Sequence, residues 1–126
     1  MLSQKTTLLC GILLAGLGVA LGAFGAHALK PVLVEHQAVE TYALAAQYQF
    51  YHALALIAIG ILMQRSPDSP GFGLAALLML AGVILFSGSL YGLALTGSRS
   101  VVLLTPLGGV FFLGGWTVLF IAVLRK

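Results

Sequence analysis

The sequence predicts an all-α integral membrane protein, a four-transmembrane-helix antiparallel bundle. Three observations carry that prediction. Hydrophobic residues make up 60% of the 126, against six basic and three acidic side chains. A soluble domain is nearer one quarter charged, and one this apolar would expose more hydrophobic surface than a monomer tolerates. The mean hydropathy is +1.10. Finally, the apolar residues fall into four runs, each about the length that crosses a bilayer.

The first run is Thr7 to Leu29, roughly 34 Å as a helix. Lys5 before it and Ala26-His27-Ala28 at its end resemble a secretory signal, but the run is too long for a signal core. The second run, Ala43 to Met63, has a polar first half (Gln47, Tyr48, Gln49, Tyr51, His52) and an apolar second half; an amphipathic lead-in from Glu35 is expected. The third is Phe72 to Leu95. The fourth covers residues 105–124, with Thr105 as N-cap and Pro106 at the first helical position, where a missing N–H costs little. Val101 to Leu104 then forms an apolar, non-helical lead-in that packs on protein.

The links are short. Gln64 to Gly71 and Thr96 to Ser100 have turn composition, and Lys30 to Tyr42 is the longest. Short links place consecutive helices antiparallel and adjacent, giving one compact domain over residues 1–126. Four spans put both termini on one side. That side holds Lys5, Arg65, Arg125 and Lys126 against Lys30 and Arg99 opposite, which favours cytoplasmic termini.

Membrane helices associate through packing and polar contacts. Most of the 16 glycines lie inside the apolar runs. Gly11, Ala15, Gly18, Gly22 and Gly25 or Ala26 make one small-residue face on the first helix. Gly82, Gly88 and Gly92 mark the third, and Gly108, Gly109, Gly114 and Gly115 the fourth. Such faces pack the protein's own helices; any left over suits self-association or a partner's helix within a larger membrane complex. The lone Cys10 reads as a small buried hydrophobe. Trp116, mid-helix, needs an acceptor for its indole N–H within the bundle.

Polar residues gather in the outer half of the predicted membrane. His27 ends the first helix. Tyr48, Gln49 and His52 share a face of the second by helical spacing, and Ser87 and Tyr91 share a face of the third. Ionisable groups inside a membrane are candidates for function, so His27, Tyr48, Gln49, His52, Ser87 and Tyr91 are the candidate ligand-binding residues. His52 is placed one to two turns below the surface. His36, in the link, reads as solvated.

Three chemistries compete for these residues. His27 and His52 as axial haem ligands need matched depth. A metal site needs carboxylate or thiolate help, which Glu35 and Glu40 do not clearly supply. A crevice for a quinone, lipid headgroup or small solute needs only His52 with tyrosines and glutamines around a cavity. Ser87-Gly88-Ser89 lacks the strand context and acidic partner of a nucleophile elbow. No duplicated halves or broken helices suggest a transporter, and nothing in the basic residues suggests nucleic acid. A non-enzymatic accessory or scaffolding bundle is the first expectation, and small-molecule binding or transport at an outer-facing polar crevice around His52 is the alternative.

Several segments look familiar in combination. They are Gly22-Ala23-Phe24-Gly25-Ala26-His27-Ala28-Leu29, Gln47-Tyr48 followed by His52-Ala53-Leu54-Ala55-Leu56, Leu85-Phe86-Ser87-Gly88-Ser89-Leu90-Tyr91, Thr105-Pro106-Leu107-Gly108-Gly109 and Gly114-Gly115-Trp116. Together, across nearly the whole chain, they resemble the small bacterial membrane proteins of the domain-of-unknown-function 423 family, which is related to eukaryotic transmembrane protein 256. No departure from that pattern falls at His27, His52, Ser87, Tyr91, Pro106 or Trp116. The resemblance implies a bacterial inner-membrane protein of about four spans. It implies no activity and no cofactor.

Overall fold

A computed structural model describes residues 1–126. The chain is helical almost throughout: α1 (Gln4–Ala26), a short α2 (Lys30–Glu35), α3 (Val39–Arg65), α4 (Pro70–Gly82), α5 (Gly88–Thr96) and α6 (Leu104–Leu124). A π-helical turn, Val83–Ser87, joins α4 to α5, so Pro70–Thr96 runs as one 27-residue span. With α1, α3 and α6 this makes four helices long and apolar enough to cross a membrane. Their lipid-facing surfaces carry large apolar side chains such as Leu13, Val19, Ile84, Val110 and Leu113. This is a multi-pass membrane protein.

The helix ends follow local chemistry. α1 starts three residues before the apolar run because Ser3 caps it, its hydroxyl accepting from the Thr6 N–H at 3.3 Å. Instead of a continuous amphipathic lead-in from Glu35, the first link folds α2, with Pro31 in its first turn, then breaks at Gln37, whose φ is +51°. α3 begins two residues later. The third span ends at Gly97, whose φ of +72° is the left-handed stop that glycine accepts without strain. Thr105 does not cap α6: the helix starts at Leu104, and the Thr105 hydroxyl lies 2.5 Å from that of Ser89. Ser89 donates to the Phe86 carbonyl at 2.9 Å, so it is Thr105 that donates to Ser89. A capping hydroxyl at the membrane edge has water as a substitute; a buried Ser89 has only protein.

The four spans pack in a row rather than a closed ring. α1 lies along α3, α3 along the third span, and the third span along α6; α1 and α6 do not touch. Glycines set the close approaches. Gly11, Gly18 and Gly25, seven residues apart, are buried in α1 against α3, and a Cβ at Gly11 would sit 2.9 Å from the Ala53 carbonyl oxygen. Gly108 and Gly115, again seven apart, are buried in α6 against the third span, where a Cβ on Gly108 would strike the Phe86 backbone. A seven-residue repeat of small residues is the seam of helices crossing at a shallow angle. Gly16, Gly22, Gly88 and Gly109 touch nothing.

Two apolar clusters result. One, near the end that carries both termini, joins Leu56, Ile59, Phe72, Ala75, Met79 and Ala122. The other, at the opposite end, joins Leu33, Ala38, Tyr42 and Ala94. The buried polar side chains Gln49, His52, Ser87 and Ser89 lie between them.

Candidate functional site: a hydrogen-bonded layer and a lateral groove

The polar layer ties helices together. α3 is its hub because it alone exchanges these bonds with all three other spans. Near its start, the Tyr42 hydroxyl donates to the Leu21 carbonyl of α1, and its ring meets Tyr91 edge-on, with centroids 5.2 Å apart. One turn on, the Ser87 hydroxyl donates to the Ala45 carbonyl at 2.8 Å. Next, Gln49 donates to the Leu14 carbonyl at 2.8 Å and accepts from the Tyr91 hydroxyl at 2.7 Å. That one amide links α1, α3 and α5. The Gln49 amide nitrogen packs over Gly18, where an added Cβ would lie 3.6 Å away.

His52 is the next level. Its Nδ1 lies 2.8 Å from the Tyr48 carbonyl and its Nε2 3.1 Å from the Trp116 indole nitrogen. An indole only donates and a carbonyl only accepts. His52 is therefore the neutral tautomer protonated at Nδ1, accepting at Nε2. Its ring stacks on Phe112, with centroids 3.6 Å apart and planes 11° from parallel. His52 stands thirteen residues beyond Val39 in the 27-residue α3, about 20 Å along it. It is at mid-span, not one to two turns below the surface. Trp116, likewise in the middle of α6, finds in His52 the acceptor it needs.

Alongside runs a groove of about 470 Å³, lined by Tyr48, His52, Phe86, Phe112 and Trp116 with Gly109 in its wall. α3 and α6 do not approach each other at the backbone, so rings fill the space between them. The groove opens sideways toward lipid, flanked by the exposed Val110 and Leu113. Two wider clefts, about 750 and 770 Å³, lie at the terminal end between Met1, Asp68 and Pro70, and one reaches Arg125 and Lys126.

The six candidate residues do not form one crevice. Gln49, Ser87 and Tyr91 belong to the helix-tying layer. Tyr48 and His52 turn the other way, toward α6, although helical spacing grouped them with Gln49; the Tyr48 ring packs on Phe86 at 4.8 Å. His27 is the exposed C-cap of α1 and joins neither group. Matched axial ligation of a haem by His27 and His52 is contradicted by this geometry, since the two sit at different depths and His52 has no free lone pair. His36 is also not simply solvated. It is half-buried and its Nδ1 lies 2.9 Å from the Ala94 carbonyl, tying the link to α5 beside Gly97. No three His, Cys, Asp or Glu side chains gather in a metal-holding group. Residues that the spacing did not single out include Tyr42, Phe112, Ser89 and Thr105. Ser89 and Thr105 carried only their polarity within the outer half of the membrane, and Tyr42 stands seven residues before Gln49 and so on the same helical face.

Fold and site define a class: a small polytopic membrane bundle whose buried side-chain polar atoms are all hydrogen-bonded within the chain. The chain belongs to the family described as "Protein of unknown function (DUF423)", whose profile matches residues 21–109. It is 40% identical over 122 residues to the UPF0382 membrane protein SAB0533 of Staphylococcus aureus (strain bovine RF122 / ET3-1), covering 97% of this chain and 98% of the relative. Identity to the UPF0382 membrane protein YwdK of Bacillus subtilis (strain 168) is 36%, with 97% and 98% covered. With the UPF0382 inner membrane protein YgdD of Escherichia coli (strain K12) it is 41% over 109 residues, covering 85% and 80%. No solved structure matches.

Proposed function

We propose that this protein is a non-enzymatic accessory or scaffolding bundle of the bacterial inner membrane, with both termini in the cytoplasm. One observation carries the reading: every buried side-chain nitrogen or oxygen has a hydrogen-bond partner within the chain. An enzyme or carrier keeps polar groups free for its substrate; here Gln49, His52, Ser87 and Tyr91 are all engaged by protein. The inner-membrane placement follows the name of the Escherichia coli relative, and the orientation follows the charge bias between the two ends. The unclosed row leaves the outer faces of α1, α3 and α6 free for other membrane helices. Native mass spectrometry of the assembly extracted from its own membrane tests this: masses of several protein chains together are expected, and a lone chain carrying a stoichiometric small molecule would overturn it. Labelling of a cysteine added after Lys126 from the cytoplasmic side alone is the expected result for orientation.

The lateral groove favours a second reading, uptake of a lipid-soluble ring or chain such as a quinone between α3 and α6. Trp116, the sole tryptophan, lines the groove and reports on it. Saturable quenching of its fluorescence by a short-chain quinone, abolished by Gly109→Leu, is the outcome expected of that reading. Linear quenching unchanged by Gly109→Leu would remove it.

A further inference from the structure

The lipid-facing surface of α3 differs from that of every other span. Leu44, Gln47, Tyr51, Leu54, Ala58 and Ile61 recur at alternating spacings of four and three and are all exposed. Neither α1 nor α6 covers this stripe. It contains Gln47, eight residues beyond Val39 and so about 12 Å along the span. Its neighbour Gln49 is bonded on both sides of its amide. Gln47 has no side-chain hydrogen bond at all. On the lipid face of α6 the polar groups are accounted for: Thr117 donates to the Leu113 carbonyl at 2.8 Å and Trp116 to His52. On the α3 stripe they are not: beside Gln47 the Tyr51 hydroxyl, one turn on and exposed, has no hydrogen bond within the chain either. The exposed faces of α1 and of the third span are apolar through the membrane. An amide facing hydrocarbon lacks the water that would satisfy it, so another membrane-embedded group must do so.

We infer that this α3 stripe is the interface with a second copy of the same chain, with Gln47 paired to its counterpart across a two-fold axis normal to the membrane. The inference rests on the scaffolding reading and names its partner. Every copy inserts with the same topology, so two copies meet with their α3 helices parallel, and a residue on the axis meets itself at the same depth. A side chain that meets itself must be both donor and acceptor. A carboxamide is; a lysine or an arginine is not. Two Gln47 amides satisfy each other with a reciprocal pair of bonds. The alternating four-three spacing matches two parallel helices crossing at a shallow angle, where a single polar residue in the seam fixes register and partner number. Ala58 within the stripe and Ala43 beside it, both exposed, leave room for that approach.

Cysteine crosslinking in native membranes tests this, with Cys10→Ala as background. Leu54→Cys, two turns from Gln47 on the same stripe, is expected to give on oxidation a disulfide-linked species of twice 13.1 kDa, whereas Leu113→Cys on the lipid face of α6 is not. Adding Gln47→Leu should weaken dimerisation roughly eightfold, the loss of two interhelical hydrogen bonds of ordinary strength, and Gln47→Asn should restore much of it. Equal yields at Leu54→Cys and Leu113→Cys, or no response to Gln47→Leu, would overturn the inference. A crosslink to a different protein at Leu54→Cys would overturn the second copy while leaving the scaffold reading standing. A single chain by native mass, with no protein crosslink at either position, would sink both.

Discussion

α1 and α6 stand at opposite ends of the row, and α3 contacts the two differently. Against α1, glycines at seven-residue spacing bring the two backbones together, so Tyr42 and Gln49 reach carbonyl oxygens of the neighbouring helix directly. Against α6 the backbones stay apart. Tyr48, His52, Phe112 and Trp116 cross the space as stacked rings, and the one hydrogen bond runs from side chain to side chain. Small residues thus make the main chain of a neighbour available as a hydrogen-bond acceptor. Without them, rings must supply both the filling and the bond, and a groove remains beside them. The first contact is narrow and intolerant of volume; the second can adjust by rotating rings.

The comparison breaks most readily at the α1 seam. Gly11→Ala places a methyl against the Ala53 carbonyl and the Ile57 side chain. Such overpacking should cost about 1–3 kcal/mol, read as a lower midpoint when the purified protein is unfolded by added SDS in mixed micelles and followed by circular dichroism. A midpoint equal to wild type would mean that the helices slide apart at no cost, and the seam is not rigid. Gln49→Leu comes next. It removes two bonds that join three helices and should cost about 1 kcal/mol, since interhelical bonds average roughly 0.6 kcal/mol each. Trp116→Phe keeps one aromatic ring but removes the bond to His52 and part of the indole's packing; with Trp116 46% exposed the bond dominates, and a loss of roughly 0.6 kcal/mol or somewhat more is expected in the same titration. A loss larger than that of Gln49→Leu would reverse the ranking of the two contacts. Gly16→Ala, on the open face of α1 where an added Cβ touches nothing, should stay within about 0.5 kcal/mol of wild type. A large effect there would instead reveal a helix docked on that face.

Much of the fold was legible because hydrophobic length alone selects a membrane span. The runs at residues 7–29, 43–63, 72–95 and 105–124 each overlap an observed helix, and the errors lie at the ends. Ser3, a capping residue outside the apolar run, extends α1 backward, and Gln37 in the left-handed region splits the first link. The π-helical turn at Val83–Ser87 left no mark in the composition, because its residues are as apolar as their neighbours. Among the candidate residues, periodicity placed Ser87 and Tyr91 together correctly. It grouped Tyr48 with Gln49 and His52, although one helix face of that width is shared between two neighbouring helices.

What the sequence determined by itself was solvent, span number and the need for close helix contacts. These follow from summed hydrophobicity and from small residues at helical spacing, which are local properties of a chain. Only the tertiary structure decided which glycines were used: Gly11, Gly18, Gly25, Gly108 and Gly115 are buried, while Gly16, Gly22, Gly88 and Gly109 stay open. It also decided that Gln49 is bonded on both sides while Gln47, two residues away, faces lipid. A step of two residues turns a helical side chain by about 200°, and nothing local to the chain says which side the next helix will occupy.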